Sequence, residues 1–121
     1  MYTVPAYVDG AEPLQHVSVV AGKTVVLRCA VQGIPPPNNI TWLKNGRAVR
    51  QDGRTRLLMS GRHLELSSAQ ESDAAWYSCA AGNVAGSARI EFNLTVVGIA
   101  FRHVPLIYCI VYSVNTALCD F

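Results

Sequence analysis

Charge is scarce in this 121-residue chain, where ten Lys and Arg stand against eight Asp and Glu for a formal net charge of +2. The cations are scattered, so the basic stripe needed for a nucleic-acid or polybasic membrane surface is missing. Histidine is rarer still: His16, His63 and His103 fall in separate segments without ligand spacing. No Cys-x-x-Cys, His-x-x-x-His or acidic calcium loop occurs. The serine-rich run Ser67–Asp73 has no glycine-rich strand-to-helix setting, so it reads as a loop with at most one helical turn rather than a nucleophile or phosphate site. Neither catalysis nor a metal or other cofactor is expected. Long hydrophobic runs are absent too. The apolar stretch Val104–Cys119 holds 16 residues, includes Pro105 and Asn115, and ends without a basic stop, whereas a membrane helix needs about 20. Membrane contact is not expected. Met1-Tyr2-Thr3-Val4-Pro5 has neither the basic nor the apolar part of a secretory leader, so an extracellular reading requires this chain to be a fragment of a longer one.

What is present is a series of short alternating runs punctuated by turn residues, with no sustained helical period. Residues 1–12 carry Pro5 and Gly10 and read as a linker, and Gln15–Val20 as a first strand. In Thr24–Val31, Val25, Leu27, Cys29 and Val31 share one face. Pro35-Pro36-Pro37 makes a stiff loop; docking of that run into a proline-reading groove is the less favoured alternative. Ile40–Lys44 turns Trp42 inward and ends at Asn45-Gly46, a tight-hairpin pair. Arg56–Met59 and His63–Leu66 flank a Ser60-Gly61 turn, with Leu64 inward. Ala75, Tyr77, Cys79 and Ala81 form one inward face, and Ala88, Ile90, Phe92, Leu94 and Val96 another. Such spacing without helices predicts an all-β, two-sheet antiparallel sandwich.

The motifs sharpen this. Trp42 follows Cys29 by 13 positions, Cys79 follows it by 50, and Asp73-x-Ala75-x-Tyr77-x-Cys79 closes the pattern. Ala21-Gly22-Lys23, Gly33-x-Pro35-x-Pro37, Trp42-Leu43-Lys44-Asn45-Gly46, Leu64-x-Leu66 and Cys79-x-Ala81-x-Asn83-x-x-Gly86 accompany it. Residues 13–97 resemble an I-set immunoglobulin domain, similar to repeats of hemicentin-like, peroxidasin-like, roundabout-like and contactin-like tandem proteins. The resemblance implies a Cys29–Cys79 disulfide packed on Trp42, a tyrosine corner at Tyr77, an Arg56–Asp73 salt bridge, and a left-handed Gly86 in the last hairpin. One residue more than the usual spacing, in Asn38-Asn39, predicts a bulge after the proline loop.

Two glycosylation triplets, at Asn39 and Asn93, both fall on the outward phase of their strands. With the cysteines they favour an oxidising compartment. Trp76 points away from the core and reads either as a binding anchor, with Arg47 and Arg50 as a polar rim, or as a side chain covered by Leu43 and its neighbours on that face. The function these features imply is non-catalytic protein–protein recognition in an extracellular tandem-immunoglobulin protein, serving cell adhesion or matrix organisation. Partners would be other proteins, a second copy or neighbouring immunoglobulin domains. The alternative is an intracellular structural module of a muscle or actin-associated protein. Residues 98–121 match nothing in the family. A membrane span, an added strand pair in which Cys109 meets Cys119, and a non-native extension with free thiols all stay open for them.

Overall fold

The computed structural model describes residues 2–10, 12–101, 108–113 and 116–120. Its strands are β1 (Val4–Val8), β2 (Leu14–Val20), β3 (Val25–Arg28), β4 (Val31–Ile34), β5 (Asn38–Lys44) and β6 (Arg47–Ala48). They continue with β7 (Thr55–Leu58), β8 (His63–Leu66), β9 (Ala75–Asn83), β10 (Gly86–Phe101), β11 (Tyr108–Ser113) and β12 (Thr116–Asp120). Glu71–Asp73 forms a single 3₁₀ turn.

One sheet runs β12-β11-β10-β9-β5-β6, with β2 added in parallel against β10. Opposite it lie the three strands β3-β8-β7 and the short pair β1-β4. Alternation explains the layering. Leu27, Val31, Leu64, Leu66, Tyr77, Cys79, Ile90, Phe92, Leu94 and Val96 are all at most 2% exposed and fill the space between the sheets. Most of their neighbours along each strand face outward, although Ser78, between Tyr77 and Cys79, is buried as well.

Cys29 and Cys79 are joined by a disulfide with a Cα–Cα distance of 6.0 Å. Trp42 stacks on Phe92 with ring centroids 5.7 Å apart, and its indole N–H donates to the Gly61 carbonyl at 2.7 Å. That carbonyl is presented by a tight β7–β8 turn in which Met59, Ser60 and Gly61 all take positive φ. The Asn45-Gly46 turn also uses positive φ at both residues, 50° and 81°, as a right-twisted two-residue hairpin requires. After the proline loop the β5–β9 register shifts between Asn38 and Thr41, and Asn39 sits at φ 54°. The extra residue is absorbed there.

Two details differ from expectation. Residues 4–8, read as linker, form β1, which pairs with β4 and buries Ala6. Pro5 is tolerated because the ladder is irregular between Val4 and Tyr7. Gly86 is not left-handed; a Cβ there would sit 3.2 Å from Pro5 Cβ, so the glycine serves close approach of β1. The turn itself is built by Asn83, whose Oδ1 accepts from the Ala85 and Gly86 amides while its Nδ2 donates to the Val4 and Pro35 carbonyls.

Beyond Val97 the backbone of β10 continues into a ladder with β11, and β11 pairs with β12, bringing Cys109 opposite Cys119. His103 and the start of the apolar stretch lie outside the described residues.

Candidate recognition surface

At one end of the sandwich a charged cluster is assembled from four elements. Tyr77, on β9, is buried and donates its hydroxyl to the Asp73 carbonyl at 2.7 Å. That bond fixes the 3₁₀ turn, whose Gln70 amide donates to Asp73 Oδ2 at 2.8 Å. Arg54 completes the arrangement by a forked pair to the Asp73 carboxylate, at 2.9 and 3.3 Å, and also donates to the Ser67 and Ser68 carbonyls. Arg54 is aimed by Asp52, whose Oδ1 accepts from the Arg54 and Thr55 amides at 2.8 Å. Lys44 reaches the Ser72 carbonyl at 2.9 Å.

The partner of Asp73 is therefore Arg54 and not Arg56. Arg56 lies within β7, where the antiparallel register sets it opposite Glu65 on the outer face, and the two form an ion pair at 2.6 Å. Arg54 precedes the strand, so its side chain is free of that alternation and turns beneath the sandwich. Hairpin register holds the signal that the charge pattern alone does not: with Leu58 opposite His63, stepping back two residues pairs Arg56 with Glu65.

The electrostatics follow from burial. Burial opposes ionisation of Asp73 most strongly, but the Arg54 hydrogen bonds, the Gln70 amide and the Arg54 and Lys44 charges together hold its carboxyl below the usual carboxylate range. Burial, and then the Asp73 charge, push the Tyr77 hydroxyl well above the ordinary phenol value. The two backbone amides on Asp52 lower its carboxyl as well. These shifts stabilise one geometry, and the tyrosine is held neutral as a hydrogen-bond donor.

Around this cluster lies a depression of about 320 Å³ whose lining includes Lys44, Arg47, Arg50, Arg54, Asp52 and Asp73. Asp73 is committed to Arg54, and Asp52 to backbone amides, leaving Arg47 and Arg50 as exposed cations on the rim. Trp76 does not share this hollow. It is 48% exposed on the outer face of β9 and lines a second depression of about 130 Å³ with Gly46, Ser78, Arg89 and Glu91. Its backbone is bonded in both directions to Asn45. The expected anchor and its expected rim thus belong to two different surfaces. Asn39 is exposed in the bulge and Asn93 is partly exposed on β10.

A two-sheet sandwich with a central disulfide, a buried indole and a tyrosine hydroxyl returned to the preceding turn defines an immunoglobulin-type module. The sequence profile of the Immunoglobulin I-set domain matches residues 10–96, and the chain belongs to that family. It is similar to human (Homo sapiens) hemicentin-1, with 48% identity over 95 residues covering 77% of this chain and 2% of that protein. It is also similar to human cardiac-type myosin-binding protein C, with 40% identity over 87 residues covering 70% of this chain and 7% of that protein. The chain thus spans a small fraction of the length of these relatives. Among solved structures, a chain from a mutant complex of titin M10 with an obscurin-like 1 immunoglobulin domain superposes with a TM-score of 0.69. Its identity is 30%, over 83% of this chain and 100% of that one.

Proposed function

We propose that this chain is a non-catalytic recognition and structural module of an extracellular tandem-immunoglobulin protein, serving matrix organisation or cell adhesion. The observation that carries the reading is the cross-sheet disulfide at the centre of the core, a bond that persists in oxidising compartments. The similarity to hemicentin-1 and the outward placement of both sequons support it. Protein contact is assigned to the end of the sandwich bearing Arg47 and Arg50, where exposed cations around a preorganised cluster suit acidic side chains of a partner.

A second reading is favoured by one specific observation, the similarity to myosin-binding protein C and to titin domains. It is an intracellular structural module in which the two thiols stay reduced. Antibody detection in cells that express the protein natively separates the two. Recovery from conditioned medium or detergent-insoluble matrix, with a mass two hydrogens lighter after Cys29 and Cys79 pair, is expected. Recovery from cytosol with both thiols alkylatable would replace the first reading with the second.

A further inference from the structure

Trp76 and Asn93 are direct partners in the antiparallel ladder of β9 and β10. Opposed residues leave a sheet on the same face with Cβ atoms about 5 Å apart. On the other flank of Asn93, across the parallel ladder to β2, stands His16. The outer face therefore carries a row, Trp76–Asn93–His16, with the half-exposed indole at one end and an exposed imidazole at the other. Asn93 opens the triplet Asn93-Leu94-Thr95. Leu94 is buried in the core, which locks the phase of the strand and holds Asn93 outward. The Thr95 hydroxyl is held 2.9 Å from Ser18 Oγ.

We propose that Asn93 carries an N-linked glycan whose innermost N-acetylglucosamine lies on the indole of Trp76, so that the sugar of this chain covers the aromatic instead of a protein partner. The proposal rests on the extracellular reading. A sugar on Asn93 Nδ2 reaches sideways by roughly the cross-strand Cβ spacing of about 5 Å, which sets its ring over the neighbouring side chain. One face of that ring is a patch of C–H groups. The electron-rich face of an indole attracts such groups and gains apolar contact at little entropic cost, because both the tryptophan and the asparagine are held by strand backbone. Ser78 and the Arg89–Glu91 pair, 3.1 Å apart beside Trp76, supply polar groups at the edge of the same hollow.

The test uses the full chain secreted from mammalian cells behind a cleavable leader, with its glycans trimmed to a single N-acetylglucosamine. Glycopeptide mass spectrometry is expected to find Asn93 occupied. In the NMR spectrum the sugar C–H protons are expected upfield of their free positions by ring current, and to return in Trp76→Ala. Removing the acceptor by Asn93→Gln should lower the wild-type melting temperature by about 3 °C and leave that of Trp76→Ala unchanged; Trp76→Phe should keep part of the coupling. The buried Trp42 fluorescence checks that each variant folds. An unoccupied Asn93 in a disulfide-bonded protein glycosylated at Asn39 would overturn this proposal and leave the extracellular reading standing. Occupancy with unshifted sugar protons, and an equal effect of Asn93→Gln in both backgrounds, would do the same. A reduced, unglycosylated product would remove both.

Discussion

Replacing Arg54 with alanine tests the assignment of the charged cluster most directly. The Asp73 side chain is 6% exposed and Arg54 is 33% exposed. Truncating the arginine leaves a nearly buried carboxylate with the Gln70 amide as its remaining hydrogen-bond donor, and frees the Ser67 and Ser68 carbonyls. Breaking a fully buried pair costs about 3–5 kcal/mol. Solvent reaches a third of Arg54, so screening reduces the expectation to about 2 kcal/mol, a fall of roughly 6–10 °C in melting temperature. Arg56→Ala removes a pair whose arginine is 59% exposed and should cost no more than about 0.5 kcal/mol. The pH dependence separates charge from packing. Asp73 has a depressed folded pKa, so its contribution is complete above the unfolded carboxylate value of about 3.9 and is lost as pH falls through the lower folded value. The Arg54→Ala penalty should therefore be largest near neutrality and shrink as the pH is lowered toward 2. Urea denaturation of wild type and both variants between pH 2 and 7 measures this. Equal penalties for the two arginines, or an Arg54→Ala penalty independent of pH, would refute the reasoning.

Further outcomes are expected elsewhere in the core. Cys29→Ala/Cys79→Ala opens a 50-residue separation and should lower stability by about 4 kcal/mol in the chain-entropy account, measured by chemical denaturation against the oxidised protein. Tyr77→Phe deletes the donor to the Asp73 carbonyl and should cost about 1–2 kcal/mol near neutrality. Because burial raises the folded pKa of Tyr77, its contribution is complete below about pH 10 and declines as pH rises beyond that value; a Tyr77→Phe penalty that stayed constant into strong alkali would contradict the buried hydroxyl. Gly33→Ala places a Cβ 2.7 Å from Asn83 Nδ2 and 3.1 Å from the Val4 carbonyl. It should loosen β1, with faster amide exchange there than in β9 as the readout.

The central strands are legible in the sequence because a half-buried antiparallel sheet imposes period two on it. Val25, Leu27, Cys29 and Val31 fall on one face and prove buried, as do Tyr77, Cys79 and Ala81 on another. The Asn45-Gly46 turn is legible because few residue pairs accept two consecutive positive φ values. What escapes belongs to register and to close approach. Pairing Arg56 with Asp73 is what the family resemblance implies, and only counting back from the β7–β8 turn separates it from Arg54. A left-handed role for Gly86 follows from glycine's tolerance of one, whereas the constraint is the proximity of Pro5, which lies 81 positions earlier (86 minus 5). β1 escapes for a related reason: its hydrogen-bonding partner is β4, and its five residues carry too little alternation to mark a strand alone.

An immunoglobulin-type core accommodates similarity both to hemicentin-1 and to proteins named as titin or myosin-binding protein C. The inward residues answer to packing. A disulfide, an indole stacked on Phe92 and a tyrosine bonded to its upstream turn serve the sandwich whatever the module meets outside. Packing of this kind reports architecture and is insensitive to the partner. Partner choice is open instead to the alternate, outward residues that the core does not constrain. In this chain the outward positions include the bulged Asn39, the exposed Arg47 and Arg50, and the Trp76–Asn93–His16 row. A comparison between modules of this family is therefore most informative when made strand by strand on the outer phase, because a change there alters what the domain touches while leaving the fold intact.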